Sequence, residues 1–385
     1  MDKVNEVEVV LKVVERCNLD CHYCYFFYSG NENYKKHPPL ISETTLLEVI
    51  DYLNEAVCTM SIRKIRVDLH GGEPLMLGKK RFRGLCASLR EKVRSEDLEI
   101  TVQTNGTLLD GEWVDVLRDH RVAVGVSLDG PKDINDAHRA DRKGKGSYER
   151  IVRGIELLRT SGLAPSLLCV IDPKTDGRKV YRHFVDDLGI SGMDFLLPDK
   201  THDNYREEDV DGCARYLMGV YDEWASDNNK AISVRFINRA LFGFTAGDGI
   251  FDSSGAMRGV RKAIVKIASN GDVDPSDLLH ATSGEFFGRF NCSTSTLAEF
   301  FADEAIRSAM SLDTNAPDKC RECCWLAVCG GGEAQNRYLS GNGFNRPSIY
   351  CSAYKSLYSH IAAHLMASNT VRRDRIVESL GMVSR

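Results

Sequence analysis

Cys17-Asn18-Leu19-Asp20-Cys21-His22-Tyr23-Cys24 follows directly on residues 7–14, a mostly apolar run that reads as a β-strand. Three thiols spaced x3 and x2 in the loop after a first strand can hold a 4Fe–4S cubane, leaving one iron open to an external ligand. A zinc site would usually take a fourth cysteine or histidine close by. His22 is the candidate for that, and its neighbours crowd it.

Working outward, further strand-like runs fall at 65–69, 99–103, 123–127, 166–170 and 193–197. Helical patterns lie between them at 42–57, 80–93, 113–118, 148–159 and 179–188, with Ser42 as N-cap of the first. Six strand–helix units imply parallel strands with crossover helices. Six is too few for a closed eight-unit barrel, so the fold class expected is α/β, an open partial (β/α)6 TIM barrel with ligands at the carboxyl ends of its strands.

After Pro198 the pattern changes. Residues 209–225 read as one amphipathic helix, 232–236 as a short strand, and 243–259 as a loop rich in glycine, serine and aspartate. Residues 261–268 and 272–273 form a hairpin pattern turning at Asn270-Gly271. A cysteine-rich stretch and helices at 352–366 and 371–380 complete the chain. The expected domains are a barrel over 1–205, a connecting helix and strand over 206–240, and a smaller α+β, loop-rich domain over 241–385 that needs metal to hold together.

The chain has 385 residues, 43% hydrophobic and 27% charged, with net charge −5. That is an ordinary globular composition without the global basic field of a nucleic-acid binder. Basic runs at Arg142, Lys143 and Lys145 and at Arg372, Arg373 and Arg375 read as solvated faces, the sharper alternative being a dock for an acidic peptide. Glu8 and Lys12 interrupt the N-terminal apolar run and no cleavage site follows, so it is not a signal peptide. No apolar run nears the about 20 residues that span a bilayer. A cytoplasmic protein with no membrane partner is expected.

Of 13 cysteines, six fall in two tight groups, at 17–24 and 320–324. In a reducing compartment such clustering points to metal. Cys58, Cys86, Cys169 and Cys213 read as buried core thiols. Cys320-x2-Cys323-x5-Cys329, with Cys351 beyond, is a four-thiolate set that suits structural zinc or a second cluster.

The segment Cys17 to Cys24, with Tyr23 before its last cysteine, resembles the signature of the radical S-adenosylmethionine (SAM) superfamily. Further marks of that family recur at strand ends: His70-Gly71-Gly72-Glu73-Pro74, Gln103-Thr104-Asn105-Gly106 and Ser127-Leu128-Asp129-Gly130-Pro131, then His138-Arg139. The resemblance spans about residues 7 to 200. It implies that Cys17, Cys21 and Cys24 hold the catalytic 4Fe–4S cluster. SAM would lie against Tyr23, Gly71, Gly72, Glu73, Asn105, Ser127 and Arg139, with Tyr23 beside the adenine and Glu73 accepting from the SAM ammonium. Reductive cleavage of SAM would give a 5′-deoxyadenosyl radical that abstracts hydrogen from the substrate, with flavodoxin or ferredoxin as electron donor.

The second cysteine group resembles the SPASM extension of radical SAM peptide maturases, whose full form binds two auxiliary clusters. That pattern continues Cys-x2-Cys-x5-Cys-x3-Cys, but its last position here is Glu333, and its Pro-Cys-Asp is Pro275-Ser276-Asp277. One auxiliary 4Fe–4S cluster is therefore expected, on Cys320, Cys323, Cys329 and Cys351, with Cys292 and Cys324 spare. Tyr25-Phe26-Phe27-Tyr28-Ser29-Gly30 resembles the branch that acts on ribosomally made precursor peptides (RiPPs). That branch joins an aromatic carbon to a β-carbon as a cyclophane crosslink.

Asp277 stands where sulfatase-maturing relatives keep a catalytic acid–base; a hairpin-capping role is the alternative. Because the first strand starts within ten residues of Met1, leader recognition is expected from the barrel, the cysteine-rich half or a separate leader-binding protein. Two rival readings are an anaerobic sulfatase-maturing, formylglycine-forming enzyme and a non-catalytic protein that uses metal as scaffold.

Overall fold

In chain order the computed structural model has β1 (Glu6–Val14), α1 (Tyr25–Tyr28), α2 (Glu43–Met60), β2 (Lys64–Gly71), α3 (Lys79–Lys92), β3 (Asp97–Thr104), α4 (Gly111–Asp119) and β4 (Ala123–Ser127). Next come α5 (Lys132–His138), α6 (Tyr148–Thr160), β5 (Ser166–Val170), α7 (Gly177–Arg182), β6 (Gly192–Leu196), α8 (Glu207–Asp227), β7 (Ser233–Val234) and α9 (Arg235–Thr245). The chain ends through β8 (Lys262–Ile267), β9 (Asp272–Asp274), β10 (Phe290–Asn291), α10 (Leu297–Ala302), α11 (Glu304–Ser311), α12 (Leu326–Cys329) and α13 (Cys351–Ala367). The structure describes residues 4–245, 262–282, 287–312, 315–368, 371, 374, 376 and 377.

These elements form two compact units. The first comprises residues 1–128, 135–166 and 261–310, the second 129–134, 167–260 and 311–385. They follow contacts rather than chain order: residues 261–310 join the first unit because β8 pairs in parallel with β1, Glu6 opposite Lys262 through Leu11 opposite Ile267.

In the first unit the strand order is β10-β9-β8-β1-β2-β3-β4. β1, β2, β3 and β4 are mutually parallel, and β8, β9 and β10 form an antiparallel edge. β1 is central because Val7, Val9, Leu11 and Val13 alternate onto one fully buried face. Each such side chain contributes about 1.5–3 kcal/mol. α2 starts where Ser42 caps it, the serine oxygen accepting from Thr45 N at 2.9 Å. Thr296 and Glu299 close a reciprocal capping box on α10. The hairpin turns at Gly271, whose φ of +88° is glycine territory.

In the second unit β5, β6 and β7 are consecutive neighbours. The long helix α8 packs on α7 and α13.

The six anticipated strands are all present within two or three residues of their expected ends. Three readings change. The strand at 232–236 shrinks to two residues and runs straight into α9, whose amphipathic sequence takes over from Arg235 and extends through Thr245. So 243–245 is helix, and 246–259 lies outside the described residues, as do Arg372, Arg373 and Arg375 and most of the expected last helix. Cys58 is exposed rather than buried, since it sits near the solvent-facing end of α2. Among the described residues no helix is long and apolar enough to cross a membrane.

Candidate functional site

The carboxyl ends of β1 and β2 are welded together by glycine. A Cβ on Gly71 would stand 2.0 Å from the Val14 carbonyl oxygen, and one on Gly72 2.2 Å from that of Arg16. In return Gly72 N donates to Val14 O at 2.7 Å and Glu73 N to Arg16 O at 2.9 Å. No larger residue allows this approach, and it fixes the chain immediately before Cys17.

Beyond it, Cys24 N donates to Cys21 O at 3.0 Å, and Leu19 N to Cys17 Sγ at 3.4 Å. Asn18 bridges to the end of β3. Its Nδ2 donates to Thr107 Oγ1, and its Oδ1 accepts from Asn105 Nδ2, both at 2.8 Å. Asn105 Nδ2 also lies 3.8 Å from Cys17 Sγ. Burial, reinforced by Glu73 and the other two thiols, pushes Cys17 up to about 12. Burial also raises Cys24.

Three half-buried thiols in one another's field need a cation to ionise, which iron supplies. Among the described residues no three His, Cys, Asp or Glu side chains converge on the point a single metal ion would need. Three thiolates with one iron left to an external ligand are what a 4Fe–4S cluster takes.

The residues expected around SAM come together at these strand ends. Glu73 is fully buried. Its Oε1 accepts from Leu75 N at 2.9 Å and Thr104 Oγ1 at 2.7 Å, and its Oε2 from Asn105 N at 2.7 Å, which ties the ends of β2 and β3. Burial raises its pKa against those three donors. Arg139 Nη1 donates to the Tyr23 hydroxyl at 2.6 Å. Ser127 Oγ accepts from Gln103 Nε2 at 2.9 Å.

Asp277 is the centre of a second group. It is 7% exposed, and its Oδ2 accepts from Lys12 Nζ at 2.6 Å and from the Tyr25 hydroxyl. Lys12, wholly buried within β1, also reaches Tyr25 OH and His70 Nδ1, each at 3.2 Å. His70 Nδ1 accepts a second bond from Gly71 N at 2.9 Å, so it is the unprotonated nitrogen. Burial and the Lys12 charge lower His70 to about 4.

Burial alone would raise Asp277, but Lys12, His70 and Lys266 hold it well below the usual carboxylate range. Its Oδ1 is buried without a hydrogen-bond partner among the described residues. Tyr25 follows Cys24 directly and joins this ionised carboxylate to the cysteine loop. Sequence reasoning singled out Asp277 but not Lys12, Tyr25 or His70. The available signal was a lysine inside an otherwise apolar strand.

In the second unit Cys320, Cys323, Cys329 and Cys351 line one pocket together with Trp325, Tyr354 and Lys355. Burial, with Cys320 and Cys351 nearby, pushes Cys329 up to about 12 although Gly331 N–H faces it. Gly330, Gly331 and Gly332 all have positive φ, and the wholly buried Arg337 donates to Gly332 O at 3.0 Å. The donor set, four thiols walling a cavity, fits a 4Fe–4S cubane. Glu333 pairs with Arg239 at 3.5 Å. Cys324 is exposed, and Cys292 is buried in the first unit, where its N–H donates to Gly271 O at 2.9 Å.

This is the α/β fold of the radical SAM enzymes, and residues 11–181 match the Radical SAM superfamily, whose members use a 4Fe–4S cluster and SAM. Over 364 residues the chain is 28% identical to the cysteine-type anaerobic sulfatase-maturating enzyme of Clostridium perfringens strain ATCC 13124, covering 91% of this chain and 94% of that one. It is 25% identical to the serine-type enzyme of Bacteroides thetaiotaomicron, covering 91% and 87%. Among solved structures, native anSMEcpe with bound AdoMet superposes with a TM-score of 0.79 at 22% identity, over 95% of this chain and 100% of that one. Streptococcus suis SuiB bound to S-adenosylmethionine superposes at 0.61 with 16% identity, over 90% of this chain and 75% of that one.

Proposed function

We propose that the chain is a radical SAM peptide maturase that takes hydrogen from a ribosomally made precursor peptide and joins an aromatic carbon to a β-carbon. The observation that carries this is Asp277: a buried, ionised carboxylate with one unpartnered oxygen, tied through Tyr25 to the loop of Cys17, Cys21 and Cys24. When bound, the first cluster and SAM supply a radical that removes the hydrogen atom, and an auxiliary cluster on Cys320, Cys323, Cys329 and Cys351 supplies an electron acceptor.

The chain's own residues do the rest. Tyr23 and Arg139 form a wall for the SAM nucleoside, and the Gly71-Gly72 weld keeps the cysteine loop in register. Closing a carbon–carbon bond onto a ring leaves one ring proton to remove. Asp277 Oδ1 receives it, and Lys12 keeps that carboxylate ionised beforehand. SuiB has been solved with its precursor peptide SuiA, and anSMEcpe with a Cp18Cys peptide, so both neighbours accommodate peptides.

A second reading, formylglycine formation on a sulfatase, is favoured by the likeness to the sulfatase-maturating enzymes over nine-tenths of the chain. Ser276 and Glu333 favour crosslinking instead. Ser276 is buried and accepts from Leu278 N at 3.1 Å, and Glu333 is paired with Arg239. Neither can supply the thiolate that a second auxiliary cluster needs.

The test is anaerobic reaction of the reconstituted protein with the precursor peptide encoded beside it and with a sulfatase-motif peptide. Crosslinking predicts loss of two hydrogens, no fragmentation between the linked residues and no reaction with a hydrazine probe. A hydrazine-reactive aldehyde on the sulfatase peptide alone would replace this reading with the second.

A further inference from the structure

The loop from Ala140 to Gly146 carries Arg142, Lys143 and Lys145, all exposed, on a chain whose net charge is −5. The side chains of these three make no ion pair among the described residues. The acidic groups around them are already engaged. Asp141 accepts from Lys143 N at 2.9 Å and Lys145 N at 3.0 Å, and it lies 3.6 Å from Arg150. Asp20 accepts from the Tyr28 hydroxyl. Glu149 is exposed at the start of α6.

The tip is rigid. Asp141 N donates to Lys145 O at 2.9 Å, Gly144 turns it at φ +75°, and the buried Ser147 hydroxyl anchors its base on Arg139 O at 2.6 Å. The backbone of the loop therefore holds three basic side chains out into water.

The same loop grips the cysteine loop. Asp20 N donates to Ala140 O at 2.8 Å, Arg139 reaches the Tyr23 hydroxyl, and the His22 and His138 rings stack with centroids 4.9 Å apart. These contacts alternate in sequence with Cys21 and Cys24, and Asp20 and His22 are themselves exposed. The basic loop is thus rooted on the cysteine loop through Ala140 and the two residues before it.

We propose that Arg142, Lys143 and Lys145 form the docking surface for an acidic one-electron carrier protein that reduces the cluster on Cys17, Cys21 and Cys24. The inference rests on that cluster assignment. The carrier loses one electron, the cluster gains it, and no proton or group moves. Complementary charge steers the encounter and weakens with salt, since fields at exposed sites are screened beyond about 8–10 Å at physiological ionic strength.

The probe is a purified acidic flavodoxin, titrated onto the full chain at low and high salt. R142E/K143E/K145E is expected to lower kon about 10- to 100-fold at low salt and to remove most of the salt dependence. R142Q/K143Q/K145Q should fall between and covers any loss of folding. Flavodoxin-driven cluster reduction, followed by electron paramagnetic resonance, should drop in parallel, while dithionite-driven reduction stays at the wild-type level.

Equal flavodoxin binding by all three proteins overturns the proposal. So does a charge-reversed protein that keeps flavodoxin but loses the precursor peptide, which would assign the patch to substrate. Binding is read without turnover, so a failure of cluster loading leaves it interpretable. A missing dithionite signal in wild type would count against the cluster assignment instead.

Discussion

Replacing Asp277 with asparagine leaves Lys12 wholly buried beside a neutral partner. Its ammonium then either stays charged and uncompensated, which costs about 3–5 kcal/mol when a buried pair is broken, or sheds its proton. From the ordinary lysine value of 10.5, shedding it at pH 7 costs about 5 kcal/mol, at about 1.4 kcal/mol per pH unit. The two routes converge on a loss of about 3–5 kcal/mol at pH 7.

They also fix the sign of the pH dependence. In the variant the unfolded chain holds a proton that folded Lys12 has lost, so stability rises with pH. The penalty should shrink to about 2 kcal/mol at pH 9. In the wild type, the depressed Asp277 contributes stability above the unfolded value of about 3.9. That stability is lost only as pH falls through its still lower folded value, so Asp277 adds no slope between about pH 5 and 9, whereas Lys12, which burial lowers, adds stability as pH rises toward 10.5. Urea unfolding of wild type and D277N, run anaerobically at pH 7, 8 and 9, reads both quantities. A difference below about 1 kcal/mol, or one that stays flat with pH, would refute the reasoning. The double variant K12M/D277L, which removes both charges together, should recover most of the loss.

Gly72→Ala should strip about four iron per chain from the reconstituted protein, because the new Cβ at 2.2 Å from Arg16 O displaces the chain before Cys17. Gly84→Ala, with nothing within 4 Å, should keep its iron and gain about 0.5–1 kcal/mol of helix stability. Alanine at Cys320, Cys323, Cys329 and Cys351 together should lower iron from about eight to about four per chain while 5′-deoxyadenosine still forms. A zinc signal at that site would contradict the assignment.

The alternating pattern made the barrel strands legible, and the x3 and x2 spacing made the first cysteine set legible, because both are local. Period-two burial and loop spacing are written in consecutive residues. The β8 pairing with β1 was not legible: it joins residues 256 apart, Glu6 with Lys262 through Leu11 with Ile267, and nothing in residues 262–267 names a partner. Helix α9 was hidden for another reason. Ile232 to Phe236 is apolar enough to pass for a strand, and the helical period emerges only once residues to Thr245 are counted. Lys12 showed in the sequence as an interruption of an apolar run. Its meaning lay 265 residues away, at Asp277.

Those long-range partners bear on how far the chain can differ from the sulfatase-maturating enzymes it is similar to. A cysteine position that has merely drifted leaves an idle side chain. Here both substituted positions are engaged: Ser276 caps the turn that carries Asp277, and Glu333 follows the three glycines after Cys329 and is held by Arg239. Cysteine at 276 would cost that turn its oxygen acceptor. Under the proposed reading Asp277, Lys12 and Tyr25 form the proton-accepting group, and its hydrogen bonds include no side-chain atom of Ser276 or Glu333.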